Sequence, residues 1–197
     1  MDDYLNTFEG DRVCESLEEC HGGLYHFFCD FANLSYWKRK ISAIFEYVVQ
    51  ENPSFTSHSP GTILYAGAEF LRIVYIGYFL YRETNFPACP APHWDELILK
   101  RDKKNATLFI NRIDLLPRFL SQEQIIDPYL FLKDFYYRRK CPVWARRWNE
   151  IIEESFSDIT CLEPDALQEF QDDFQDFHKL LEATYLLYVR YFKLKNT

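Results

Sequence analysis

The sequence predicts an all-α protein, a single-domain bundle of about six to eight helices, and three observations carry that expectation. Apolar residues recur at steps of three and four along most of the chain, only six glycines occur in 197 residues, and prolines fall where helices would begin or end. Hydrophobic residues make up 48% and aromatic residues 18% of the chain, ample material for the core of a domain this long. The domain is expected to cover residues 1–197, with residues 1–10 flexible, since no internal repeat and no long polar linker divides it.

The elements follow in chain order. Residues 1–34 carry eight acidic side chains against Arg12 alone, and Gly22 and Gly23 directly after His21 read as a helix terminus. In "SYWKRKISAIFEYVVQ", Trp37, Ile41, Ile44, Phe45 and Val48 keep helical spacing, with Ser35 placed to cap the first turn. Residues 52–60 and 84–94 read as loops from their Pro, Ser and Asn content.

Between these loops, residues 63–81 form one apolar stretch about as long as a membrane span requires. Glu69 and Arg72 interrupt it, three apart and able to pair on one helix face, whereas two charges near a bilayer centre are costly. The expectation is therefore a central buried helix and no membrane association. Residues 96–111 have apolar runs around the polar "KRDKKN" and could make a small β-hairpin, although no Asn-Gly or Asp-Gly sets its turn.

The second half is helical again. Asp127-Pro128 reads as an N-cap and first helical residue, and Cys141-Pro142 closes that helix and opens another, since the residue before proline is driven from the α region. The next helix places Trp144, Trp148, Ile151, Ile152 and Ser155 on one side. From Pro164, the residues Leu167, Phe170, Phe174, Phe177, Leu181, Thr184, Tyr188 and Tyr191 mark one stripe of a long helix over 164–193.

Recognisable catalytic sets are missing. The sequence has no Gly-x-Gly-x-x-Gly, no Gly-x-x-x-x-Gly-Lys-Ser/Thr and no Gly-x-Ser-x-Gly, the patterns behind phosphate-cradling loops and the strained nucleophile elbow. Glu18 and His21 form one Glu-x-x-His pair, with His26 nearby, but a helical di-metal site needs a second such pair and two further carboxylates. His178 and Glu182, four apart, read equally well as a surface pair. Cys14, Cys20, His21 and Cys29 have gaps of five and eight between cysteines, too wide for an ordinary zinc knuckle. No metal site and no cofactor is expected.

Six cysteines without an export signal point to free thiols in the cytosol. The one local charge anomaly is "YYRRKCPVWARRW", residues 136–148, in a chain of formal net charge -8. Arg138, Arg139, Lys140, Arg146 and Arg147 crowd one helix boundary, and Tyr137 and Trp144 offer faces on which bases could stack. The competing reading leaves these charges as the solvated ends of two helices, with the tryptophans turned inward and Glu150 and Glu154 compensating part of the charge.

The function expected from the sequence is that of a cytosolic, non-catalytic protein that binds a protein partner or itself, in a regulatory capacity. The alternative is a nucleic-acid or phosphate-ligand site on residues 136–148, and a helical metal-dependent enzyme ranks last.

Overall fold

The computed structural model describes residues 14–50, 59–83, 112–157 and 164–191, together with Ile98. The expected flexible residues 1–10 lie outside the described residues, as does the 96–111 hairpin apart from Ile98. Among the described residues there are seven α-helices and no strand, which is the all-α bundle that the periodicity predicts.

Helix α1 (Leu17–Tyr25) runs into a π-helical turn (His26–Phe31), followed by α2 (Leu34–Val49) and α3 (Pro60–Glu83). A 3₁₀ turn (Arg112–Leu115) leads to the short α4 (Gln122–Ile126), then α5 (Pro128–Arg138), α6 (Cys141–Glu154) and the long α7 (Pro164–Tyr191).

Two helix boundaries differ from the sequence reading. Gly22 and Gly23 do not end α1, because Gly23 serves packing instead: a Cβ there would lie 2.7 Å from the Ile76 Cδ1 of α3. The cap of α2 is Asn33, whose Oδ1 accepts the Tyr36 N–H at 2.9 Å, and Ser35 lies buried inside the first turn. Asn caps as well as Ser does, and starting two residues earlier lets Leu34 reach the core. Farther along, Asp127 accepts from the Tyr129 N–H at 3.1 Å with Pro128 beginning α5, and α6 opens at Cys141-Pro142.

Helix α3 is the hub, packed against α1, α2, α5, α6 and α7. Close approach to α6 requires Gly67, where a Cβ would sit 2.6 Å from Ile152 Cδ1, and the Gly67 carbonyl accepts the Trp148 indole N–H at 2.8 Å. By length and composition α3 could also cross a membrane, the only such helix among the described residues, yet over half of its most apolar stretch is buried in the protein. Burial is not all-round, since Leu64, Tyr65 and Arg72 face outward. Glu69 and Arg72 pair at 3.3 Å, as their spacing implies.

Helix α7 lays its stripe across the bundle. Phe177 stands at the centre, its ring packed against Phe70, Phe135, Trp144 and Trp148. Phe170, Leu181, Thr184 and Tyr188 are buried along the same face, while Leu167 at its beginning is exposed.

One turn past His178, the carboxylate of Glu182 is wholly removed from solvent. Its Oε1 meets Lys38 Nζ of α2 at 2.6 Å and the Arg118 N–H at 2.7 Å, and its Oε2 accepts the N–H groups of Phe119 at 2.8 Å and Leu120 at 3.1 Å. Lys38 also donates to the Leu116 carbonyl. His178 and Glu182, which the sequence left open as a surface pair, are thus buried, because α2 and the 116–120 loop cover that side of α7.

Replacing Glu182 with Ala strands a buried ammonium and three backbone donors, and is expected to lower unfolding free energy by about 3–5 kcal/mol. Glu182→Gln keeps an acceptor for the loop and should cost less. Urea unfolding of the two variants checks the order.

Candidate functional site

The basic-aromatic segment lies where α5 gives way to α6. The helix stops at Arg138, and Arg139 and Lys140 take extended backbone, which carries the guanidinium groups across to the acidic edge of α7. Arg138 grips Asp176 with two donors, Nη1 at 2.7 Å and Nη2 at 3.0 Å, while its Nε reaches Asp134 at 3.0 Å. Arg139 bonds Asp173 at 3.1 Å and Glu169 at 2.7 Å. Arg147 takes the other Asp173 oxygen at 2.6 Å, with Glu150 and Glu154 each at 3.5 Å.

Three guanidiniums therefore face six carboxylates. Burial pushes the Asp173 carboxyl up from its ordinary range, and the Arg147 and Arg139 charges draw it back. The hydrogen bonds that Arg138 donates to Asp176 hold its guanidinium above its ordinary value. A phosphate arriving here would have to displace carboxylates from donors already in use. Behind this lattice an open cleft of about 330 Å³ separates α5 from α7, lined by Asp134, Arg138, Asp172, Gln175, Asp176 and Lys179.

The remaining members of the segment divide. Trp144 is buried, its indole N–H given to the Phe135 carbonyl at 2.9 Å and its ring stacked on Phe135 at 4.0 Å, with the Arg139 guanidinium 4.7 Å above it. That ring is a core residue with a cation on its rim. Tyr137, by contrast, is 86% exposed, and Lys140 and Arg146 are exposed with no carboxylate partner among the described residues.

The metal candidates are dispersed. Glu18 is exposed on α1, His21 lies beside the Tyr188 ring at 6.0 Å, and His26 has Asp30 at 3.9 Å and Glu69 at 4.0 Å. Among the described residues, no group of three His, Cys, Asp or Glu side chains could hold a metal ion.

A different surface emerges at the π-helical turn. The wider turn lets consecutive Phe27 and Phe28 both point inward, Phe27 stacked on Trp37 at 3.8 Å, and brings Phe31 out to the surface. Phe31 is 38% exposed and touches Tyr65 of α3, itself 46% exposed, at 5.1 Å between ring centroids, with Tyr36 of α2 at 5.8 Å. The Lys40 ammonium lies 5.1 Å over the Tyr36 ring, and neither Lys40 nor Arg39 has a carboxylate partner among the described residues. Burial lowers Lys40 from the ordinary lysine value, and Arg39 adds to the effect. π-Helical turns often mark functional positions.

The sequence reading missed this surface. A usable signal was present, since Tyr65 lies one turn before Glu69 and two before Arg72, on the face that the charged pair marks as outward.

Beneath the 116–120 loop sits a second unpredicted arrangement. Ser42 Oγ of α2 and His178 Nε2 of α7 share a hydrogen bond at 3.1 Å, while Phe119 and Phe174 close on the imidazole at 4.3 and 4.4 Å. Nδ1 is buried with no hydrogen-bond partner among the described residues. Burial, with the nearby Lys38 charge, pushes the His178 pKa down to about 3.

No protein-family model matches this chain, and neither a curated protein nor a solved structure matches it.

The His178 shift has a signed consequence. The unfolded chain takes up this proton below about pH 6.5 and the folded one only near pH 3, so stability from this group is full above pH 6.5 and falls as pH drops toward 3. His178→Gln should flatten the dependence of unfolding free energy on pH across this window by up to about 1.4 kcal/mol per pH unit. Urea unfolding at a series of pH values, wild type beside variant, measures the difference.

Proposed function

We propose that this chain is a cytosolic, non-catalytic helical protein that binds a protein partner, in a regulatory capacity, through the aromatic surface of Phe31, Tyr36 and Tyr65. The observation that carries the reading is the contact of two exposed rings, Phe31 and Tyr65, at 5.1 Å beside the π-helical turn. Single exposed apolar residues are ordinary on a protein surface, but touching aromatic rings with an exposed arginine, Arg39, beside them have the composition of interface centres. Leu64, 53% exposed, adjoins Tyr65 in the chain. Arg39, exposed and without a carboxylate partner among the described residues, favours a partner segment that brings a carboxylate together with an apolar side chain, while Lys40 is buried over the Tyr36 ring.

A second reading, a phosphate or nucleic-acid ligand at the α5–α6 junction, rests on exposed Tyr137 and on Lys140 and Arg146, which are exposed and have no carboxylate partner among the described residues. It has less support, because Arg138, Arg139 and Arg147 are engaged with carboxylates and Trp144 is packed inside.

A photoreactive benzoylphenylalanine placed at position 65 or 137 in the native host separates the two. The protein-partner reading expects a discrete protein adduct from position 65 that Phe31→Ser weakens by about tenfold or more, the scale of a truncated interface anchor. Sedimentation at rising concentration tells whether that partner is a second copy. Nucleic-acid adducts from position 137, with none from 65, would overturn the first reading in favour of the second.

A further inference from the structure

The aromatic surface beside the π-helical turn carries exposed charge of both signs. Phe31 touches Tyr65 of α3 and Tyr36 of α2, at 5.1 and 5.8 Å between ring centroids, so rings from three elements form one continuous face. On the α2 side the exposed cation is Arg39, one turn after Tyr36, since Lys40 is buried over the Tyr36 ring. At the turn the exposed anion is Asp30, next to Phe31 in the chain and 3.9 Å from His26 Nδ1. Asp30 lies toward α3, because the other nitrogen of His26 stands 4.0 Å from Glu69. Glu69 and Arg72 pair with each other at 3.3 Å and add no net charge there. The face thus has aromatic rings in its middle, a carboxylate toward α3 and a guanidinium on α2.

We propose that the partner of this surface is a second copy of the chain, docked about a two-fold axis that passes beside Phe31. The inference rests on the protein-partner reading above and names that partner. Arg39 favours a segment that joins a carboxylate to an apolar side chain, and Asp30-Phe31 is such a segment, exposed on the same face. A two-fold arrangement makes the contact self-complementary, because whatever Arg39 of one copy meets on the second, Arg39 of the second meets on the first. Arg39 pairs with Asp30 of the other copy in both halves of the contact, Phe31 packs against its own equivalent, and Tyr36 faces Tyr65 across the axis. The rings supply the anchors and the two charge pairs fix the orientation. Closure about the axis leaves no part of the face for a third copy, so the assembly stops at two.

Sedimentation of the full chain at concentrations up to about 1 mM covers the range in which even a weak dimer populates. At about 0.15 M salt the screening length is about 8 Å, so the net charge of -8 on each copy is screened beyond the contact while adjacent pairs still act. The wild type is expected to pass from monomer to dimer with no larger species. Asp30→Lys sets cation against cation in both halves of the contact, and Arg39→Glu sets anion against anion. Either variant alone should raise the dimer dissociation constant about tenfold or more.

Mixed in equal amounts, the two variants should dimerise with each other about as well as the wild type does with itself. In that pair the new ammonium meets the new carboxylate, and the native Arg39 of one variant meets the native Asp30 of the other. Both positions are exposed, and recovery in the mixture itself reports that each variant is folded. A mixture no stronger than its components, or a dimer indifferent to both reversals, would overturn the proposal. A chain that stays monomeric throughout would overturn it as well: a protein adduct still obtained from position 65 in the host then leaves the protein-partner reading standing with a different partner, and the lack of one removes both.

Discussion

The buried carboxylate of Glu182 constrains the rest of the structure. A charge wholly withdrawn from water costs several kcal/mol unless it is paired and its lone pairs are satisfied. Here the compensation comes from three places at once: Lys38 on α2, the N–H groups of residues 118–120, and α7 itself, which holds the carboxylate in place. Meeting that requirement sets the register of α2 on α7 and ties down the loop. The loop in turn brings Phe119 onto His178 and delivers Ser121 as the cap of α4, whose end supplies Asp127 as the cap of α5. The α5–α6 junction thus inherits its position from a single buried ion pair.

That inheritance explains why the most basic stretch of the chain becomes a structural seam. Glu169, Asp173 and Asp176 lie along one edge of α7 at steps of four and three, and the extended residues after α5 lead the arginines onto that edge. Arginine suits the role, because its planar fork satisfies two carboxylate oxygens at once and its face can lie over the Trp144 ring. Asp173 is the pivot. Buried almost completely, it is held from either side by Arg139 and Arg147, and so fastens both helices of the junction to α7.

The two ends of α1 are shaped by different local interactions. At its C-terminal end the π-helical turn shifts the angular phase of the chain, which seats Phe27 and Phe28 inside and brings Phe31 out against Tyr65. At its N-terminal end the Ser16 hydroxyl accepts the Glu19 N–H and the Glu19 carboxylate accepts the Glu15 N–H, which closes the first turn. The π-helical turn is the departure from straight helix that places rings together which regular spacing would have kept apart.

The sequence by itself determined the helical class, the course of α2, α3, α6 and α7, the cap at Asp127 and the start of α6 at Cys141-Pro142. Each of these rests on short-range physics: apolar period, the missing N–H of proline, and side-chain acceptors at helix starts. It also singled out Arg138, Arg139, Lys140, Arg146, Arg147, Tyr137 and Trp144 as one basic-aromatic segment, and offered Trp144 both as a stacking face and as an inward ring, of which the structure shows the inward ring. What it left open was the partner of each charge. Glu150 lies within the same turn as Arg147 and was visible, but Asp173 and Asp176 are more than twenty residues away from the arginines they hold. Gly23 likewise looks like a stop signal until Ile76 is seen against it, and His178 and Glu182 look like a surface pair until Lys38 and the 116–120 loop cover them. Tertiary structure alone decided these points, because the identity of a charge's counterion and the emptiness a glycine must leave depend on which distant helix packs there, and local spacing carries no record of it.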